Sequence, residues 1–154
     1  MKELLVSMLS NFTLVTVIIS NFTAQGIKVA IRRLQEGKWD FWVFFEAGGM
    51  PSSHSATVTS LTLAAGIQAG WNSALFTACL VLALIVIYDA TGVRRVAGKQ
   101  AEILNKMMDD IYSRRKEKIE KVRVILGHDP VEVLAGVSLA ILVTLVTYYV
   151  YFIR

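Results

Sequence analysis

His54 and His128 are the only two histidines of the chain, and each stands at the head of a hydrophobic segment among residues suited to phosphoryl chemistry. The first lies in GGMPSSHSA, Gly48 to Ala56. Pro51 can begin a helix, so the free backbone amides of Ser52, Ser53 and His54 would point toward one spot. Such amides form an anion site, and the serine hydroxyls add donors. His54 beside them could protonate a leaving oxygen. Taken alone, the stretch is equally a serine-rich helix cap at a membrane surface.

The second histidine lies in LGHDPVEVLAG. Asp129 can cap a helix whose first turn holds Pro130, which makes Asp-Pro-Val-Glu a helix start. Glu132 then lies one turn beyond His128. A carboxylate there can accept a hydrogen bond from Nδ1 of His128, fixing the tautomer so that Nε2 keeps a free lone pair, as a nucleophilic imidazole requires. The plainer alternative is a helix-start carboxylate favoured by the macrodipole, next to a polar cap residue.

The elements that must position these residues are apolar. The 154 residues are 55% hydrophobic and 18% charged, with a mean hydropathy of +0.53. That balance fits a small membrane protein better than a soluble domain, and one compact domain is expected. Leu4 to Phe22 is uncharged and its apolar character continues to Ala30, so it reads as a spanning helix and a retained anchor rather than a cleaved signal. Ser55 to Ala69 is short and rich in small residues, suiting a helix packed inside a bundle. Ser73 to Tyr88 is strongly apolar, and Val131 to Ile153 ends in the interfacial cluster Tyr148, Tyr149, Tyr151 and Phe152. Trp39 to Phe45 is too short to cross and reads as an interfacial or re-entrant piece. Cys79 has no partner cysteine and reads as a small buried hydrophobe.

The fold class expected is therefore all-α, a small polytopic bundle of about four spanning helices. Val96 to Leu126 adds an amphipathic helical segment outside the membrane. There Ile103, Met107, Ile111, Ile119, Val122 and Leu126 recur at helical spacing, while Lys106, Asp110, Arg114, Lys118 and Lys121 fall largely elsewhere on the wheel. Its run SRRKEKIEK is a solvated face or a basic surface held against anionic headgroups. If all four spans cross, the two histidine loops share one side. That side also carries Lys28, Arg32, Arg33, Lys38, Arg94, Arg95, Lys99 and the basic run, whereas the opposite side has only Lys2 and Arg154. The asymmetry places the histidine side in the cytoplasm, and the expected location is a bacterial plasma membrane.

A proline-serine-x-histidine helix start, followed on the same side by His-x-x-x-acid, resembles the type 2 phosphatidic acid phosphatase and vanadium-dependent haloperoxidase superfamily. Pro51-Ser52-Ser53-His54 looks like its Pro-Ser-Gly-His motif, and His128 to Glu132 looks like its last motif. Together, GGMPSSHSA, YDATGVRRVAGKQAEILN and LGHDPVEVLAG are similar to the divergent branch described as acid phosphatase or haloperoxidase-related membrane proteins, over nearly the whole chain. The resemblance implies a phosphatase in which His128 attacks phosphorus, Glu132 orients it and His54 protonates the leaving group. It implies no metal and no cofactor, because fixed cations and helix-end amides hold the phosphate.

The departures are specific. The superfamily's lysine, six residues, Arg-Pro is replaced by GIKVAIRR, with Lys28, Arg32 and Arg33 at other spacings. Val122 stands where an earlier Ser-Arg pair is expected, with Arg123 one position late, and Glu132 replaces the usual aspartate. Arg94 and Arg95 in DATGVRR can supply the cations from another place, giving Arg94, Arg95, Lys28, Ser52 and Ser53 as expected phosphate-binding residues. Asp89 in the same turn is read as an ion-pair partner, and a divalent-ion role with Asp129 or Glu132 is the minor alternative. The expected substrate is a lipid phosphomonoester or diphosphate at the cytoplasmic leaflet, with no nucleic-acid partner. Four spans are fewer than the six common in membrane members of the superfamily, so a homodimer would complete the bundle. The competing function is an inactive scaffold that binds anionic lipid or a protein through Val96 to Leu126.

Overall fold

A computed structural model describes residues 1–45, 48–112, 121–122 and 127–154; the side chains of Phe45, Val93, Arg94, Arg95 and Tyr112 lie outside that description. Among the described residues, six α-helices run in chain order: α1 Lys2–Leu9, α2 Phe12–Glu36, α3 Ser53–Ala69, α4 Ala74–Thr91, α5 Val93–Tyr112 and α6 Pro130–Phe152, with a 3-10 segment Phe41–Phe45 after α2. Among the described residues there is no strand. The all-α membrane bundle expected from hydropathy is the observed fold.

The first spanning helix begins later than the apolar run suggests. Leu4 to Phe22 is broken at Ser10-Asn11, because extended Asn11 accepts the Leu14 N–H with its side chain and so caps a new helix. α1 is exposed throughout. α2 then continues to Gly37, whose φ of 73° ends it in the left-handed conformation.

Three helical stretches among the described residues are long and apolar enough to cross a membrane: α2, the stretch from Ala74 through α4 into α5, and α6. α3 has 17 residues and falls short by length, spanning about 25 Å at 1.5 Å per residue. It is the inner helix, packed against α2, α4 and α6. Thr13 on α2 bonds Gln68 near one end of α3, and Lys28 bonds Ser53 at the other, so the two run antiparallel along the bundle.

The packing is that of a membrane interior. Small and hydroxyl residues face inward: Thr16, Ser20 and Ala24 on α2, Ser60, Ala64 and Ala65 on α3, and Gly136, Ala140 and Thr144 on α6. Large aliphatic residues such as Ile18, Leu82, Ile85, Leu142 and Leu145 face outward. Lipid tails are as apolar as leucine, so close backbone approach and interhelical hydrogen bonds hold such helices together. The Thr16 and Thr147 hydroxyls meet at 2.9 Å, Ser20 Oγ donates to the Ala56 carbonyl at 3.2 Å, and Thr62 Oγ1 donates to the Cys79 carbonyl at 3.1 Å. Cys79 itself is buried.

Trp39 to Phe45, expected as an interfacial or re-entrant piece, packs along α2. Trp39 sits 5.7 Å from the Arg33 guanidinium, while Phe44 packs on Phe22 at 5.6 Å. Those two positions on α2 are separated by about 16 Å of helix rise, so the segment descends along α2 toward the bundle middle. α5 is amphipathic, as the periodicity requires, and Val96, Ile103, Leu104, Met107 and Ile111 are exposed on it. Asn105 and Asp109 of α5 bond Val122 and Lys121. The rest of the expected basic run, from Arg114 to Lys118, and the positions Ile119, Arg123 and Leu126 lie outside the described residues.

Candidate functional site

The two histidines meet at one end of the bundle. Their ring centroids are 6.0 Å apart and their planes are inclined by 59°, a spacing at which one imidazole can reach phosphorus and the other an oxygen bound to it.

His128 is placed by three separate constraints. Its backbone N–H donates to the Ala90 carbonyl at 2.9 Å; Ala90 lies in the last turn of α4, where carbonyls lack intrahelical donors. Its Nδ1 is 2.7 Å from Glu132 Oε2, and the residue is only 5% exposed. Glu132 is fixed in turn, because the same Oε2 accepts the Asp129 N–H at 3.3 Å in a capping box, with Pro130 in the first turn of α6. Of the two neutral imidazole tautomers, a carboxylate on Nδ1 selects the one that carries its proton there, in which the Nε2 lone pair is free.

The serine cluster is arranged differently from the three-amide nest expected. α3 begins at Ser53, with Ser52 as its cap residue. The Ser52 N–H donates to the Glu132 carbonyl at 2.9 Å, and its Oγ accepts from the Ser55 N–H and hydroxyl at 3.3 and 3.1 Å. With Ser52 fully buried, its amide is committed to joining α3 and α6 and does not form part of a three-amide nest, while its hydroxyl accepts from Ser55. Ser53 remains next to the cation: Lys28 Nζ donates to Ser53 Oγ at 3.3 Å, and Lys28 is 3% exposed. His54, one residue on, is exposed.

His128, Glu132, His54, Lys28 and Ser53 thus share one end of the bundle. Arg94 and Arg95 begin α5 directly after α4, but their side chains lie outside the described residues. Asp89 is half-buried near the end of α4, and no group of three or more metal-ligating side chains occurs among the described residues.

Two contributors escaped the sequence reading. Ala90 acts through its carbonyl, which no side-chain pattern reveals. Gly136 permits the approach of α6 to α3: a Cβ there would lie 2.4 Å from the Ser52 carbonyl oxygen. A glycine two turns into a helix after a histidine-acid motif is the one available signal.

The divergent PAP2 family model matches residues 9–143, a range that contains both histidine segments, all of α3 and the first part of α6. The chain belongs to the divergent PAP2 family. Within that relationship, it is 40% identical over 153 residues to the uncharacterized membrane protein YuiD of Bacillus subtilis (strain 168), covering 92% of this chain and 97% of that protein. No solved structure matches the chain. The apolar exterior and this membrane relative identify the divergent PAP2 protein as an integral membrane protein.

Proposed function

We propose that this protein is a lipid-phosphate phosphatase working through a phosphohistidine on His128. The observation that carries the reading is the buried His128 held at Nδ1 by Glu132, with His54 across from it at 6.0 Å. In the first step the Nε2 lone pair attacks phosphorus, the P–O bond to the lipid breaks, and His54 donates a proton to the departing oxygen. In the second, water attacks the phosphohistidine with His54 as base, releasing inorganic phosphate and restoring His128. Lys28 and Ser53 hold phosphate oxygens, joined by Arg94 and Arg95 from the start of α5.

The direct experiment is a phosphate-release screen of the purified protein against phosphatidate, phosphatidylglycerophosphate and polyprenyl diphosphate. Release from at least one, insensitive to chelator, is expected. Arg94→Gln or Arg95→Gln should lower it by about tenfold to a hundredfold, the loss of one charge-assisted contact. Arg114→Gln should change it little. Equal losses at all three positions would point to general membrane attraction, and chelator loss with divalent rescue would favour a metal role for Asp89.

The basic loops favour a cytoplasmic site. A cysteine near Ser53, at exposed Met50, or one near Lys118 should react with an impermeant reagent only when the cytoplasmic face is open, and one at Asn72 only from outside. Reaction of the first two from opposite faces would defeat this orientation.

A second reading has its own support. The exposed apolar residues of α5 suit a helix lying on a lipid surface. An inactive anionic-lipid scaffold would release no phosphate from any substrate in the screen.

A further inference from the structure

The first turns of α3 and the part of α2 beside them carry a row of polar side chains. Asn21, Gln25 and Lys28 lie at i, i+4 and i+7 on α2 and so share one face. The outer two bridge to α3: Asn21 Nδ2 donates to Thr57 Oγ1 at 2.9 Å, and Lys28 Nζ donates to Ser53 Oγ at 3.3 Å. Thr57 Oγ1 in turn donates to the Ser53 carbonyl at 2.7 Å. Gln25 stands between the two bridges. Its Oε1 is buried and, among the described residues, is the one such side-chain atom without a hydrogen-bond partner.

A buried amide oxygen left unpaired costs free energy that leucine or methionine at the same position would avoid. Where Gln25 lies indicates what would satisfy it. It is one turn, about 4.5 Å of helix rise, further into the bundle than Lys28. On the other side of Lys28, toward the end of α2, a cavity of about 350 Å³ has Lys28, Arg32, Gln35, Val43 and Glu132 among its walls. That cavity adjoins the phosphate-binding groups and belongs with them; Gln25 does not line it. A lipid whose phosphorus lies at Lys28, Ser53 and the histidines must lead its tail from that end toward the middle of the bilayer, past the level of Gln25.

An acceptor there needs a donor. Hydrocarbon and ester groups offer none, whereas a hydroxyl does. Gln25 as a whole is half-buried, so a change of side-chain rotamer brings its amide to the surface between the helices.

We propose that Gln25 is a specificity-determining residue that accepts a hydrogen bond from a free hydroxyl of the substrate, on the carbon next to the one that carries the phosphate. The inference rests on the lipid-phosphate reading above and narrows its substrate class to hydroxyl-bearing lipid phosphomonoesters. It sets phosphatidylglycerophosphate, which has such a hydroxyl, ahead of phosphatidate and polyprenyl diphosphate, which have none.

The test compares oleoyl lysophosphatidate with the analogue that lacks only its free hydroxyl. Native mass spectrometry of the detergent-purified chain should show the hydroxyl lipid retained about tenfold in preference, because a site that pairs with a hydroxyl discriminates against the ligand without it. Gln25→Leu should erase the preference by weakening the hydroxyl lipid alone. Gln25→Met, which keeps the length of the side chain, should do the same and serves if the leucine variant folds poorly. Gln68→Leu, at the opposite end of α3, should keep the preference. Equal retention of the two lipids by the unaltered protein, retention of neither, or a preference that survives both substitutions at Gln25 would overturn the proposal. Binding requires no turnover, so the two readings can fail separately. A protein that prefers the hydroxyl lipid yet releases no phosphate from it would uphold this role of Gln25 and reject the phosphatase. One that releases phosphate from both lipids with equal kcat/KM would reject the role of Gln25 alone.

Discussion

His128→Ala should abolish phosphate release from lipid phosphates and from an activated aryl phosphate alike, by at least about four orders of magnitude, because a nucleophile is needed whatever the leaving group. An acid is needed only when the departing oxygen leaves poorly. His54→Ala should therefore slow lipid turnover by about a hundredfold to ten-thousandfold while sparing the first step with the aryl phosphate. Its second step should lag for want of a base, so phosphoenzyme should build up in His54→Ala and be absent in His128→Ala. Rapid quench should find the adduct stable in alkali and labile in acid. His128 donates its backbone N–H to Ala90 whatever its side chain, and Glu132 keeps the Asp129 N–H, so the local fold should survive the exchange. An unchanged unfolding temperature would check that. A phosphorylated His128→Ala protein would assign the nucleophile elsewhere.

The second large effect is steric. Gly136→Ala would set a methyl group 2.4 Å from the Ser52 carbonyl oxygen, 3.2 Å from Ser55 Cβ and 3.3 Å from the Ala56 nitrogen. Two of these three neighbours are main-chain atoms, at the cap and in the first turn of the inner helix, so they cannot swing aside as a flexible side chain would. α6 must move off α3, and the two histidines part with it. The substitution should cost about 1 to 3 kcal/mol, the usual range for overpacking, and should lower activity in the protein that still folds. Gly26→Ala provides the comparison. A Cβ at Gly26 meets nothing within 4 Å, and alanine in a helix is favoured over glycine by about 1 kcal/mol. Thermal unfolding in detergent should move in opposite directions for the two variants, and equal behaviour would show that the approach at Gly136 is not tight.

The fold was legible where burial in lipid alone decides it. Hydropathy placed α4 and α6 within three residues of their observed ends, and the small residues of Ser55 to Ala69 marked α3 as the inner helix. The break at Asn11 was not legible, because the apolar run passes through it unbroken and only a side-chain-to-amide bond ends one helix and starts the next. For the site, spacing was enough to pair His128 with Glu132, since i and i+4 meet on any helix start. The commitment of the Ser52 amide was not legible for a physical reason: it is satisfied by a carbonyl 80 positions away in sequence, a long-range backbone bond that leaves no trace in local pattern. The cavity lined by Arg32, Gln35, Val43 and Glu132 stayed hidden too, because its walls come from α2, the 3-10 segment and α6 together.

That long-range bond from Ser52 to Glu132, with the one from His128 to Ala90, has a consequence for how the protein can vary. Both are made by main-chain atoms alone, so most amino-acid exchanges leave the donor and the acceptor in place. The relative position of the two histidines is thereby insulated from drift in the residues around them. Cations near the phosphate enjoy no such protection, since each acts through the tip of a long side chain. A lineage built this way can relocate its basic residues, from one loop to another, while its imidazoles stay where they were.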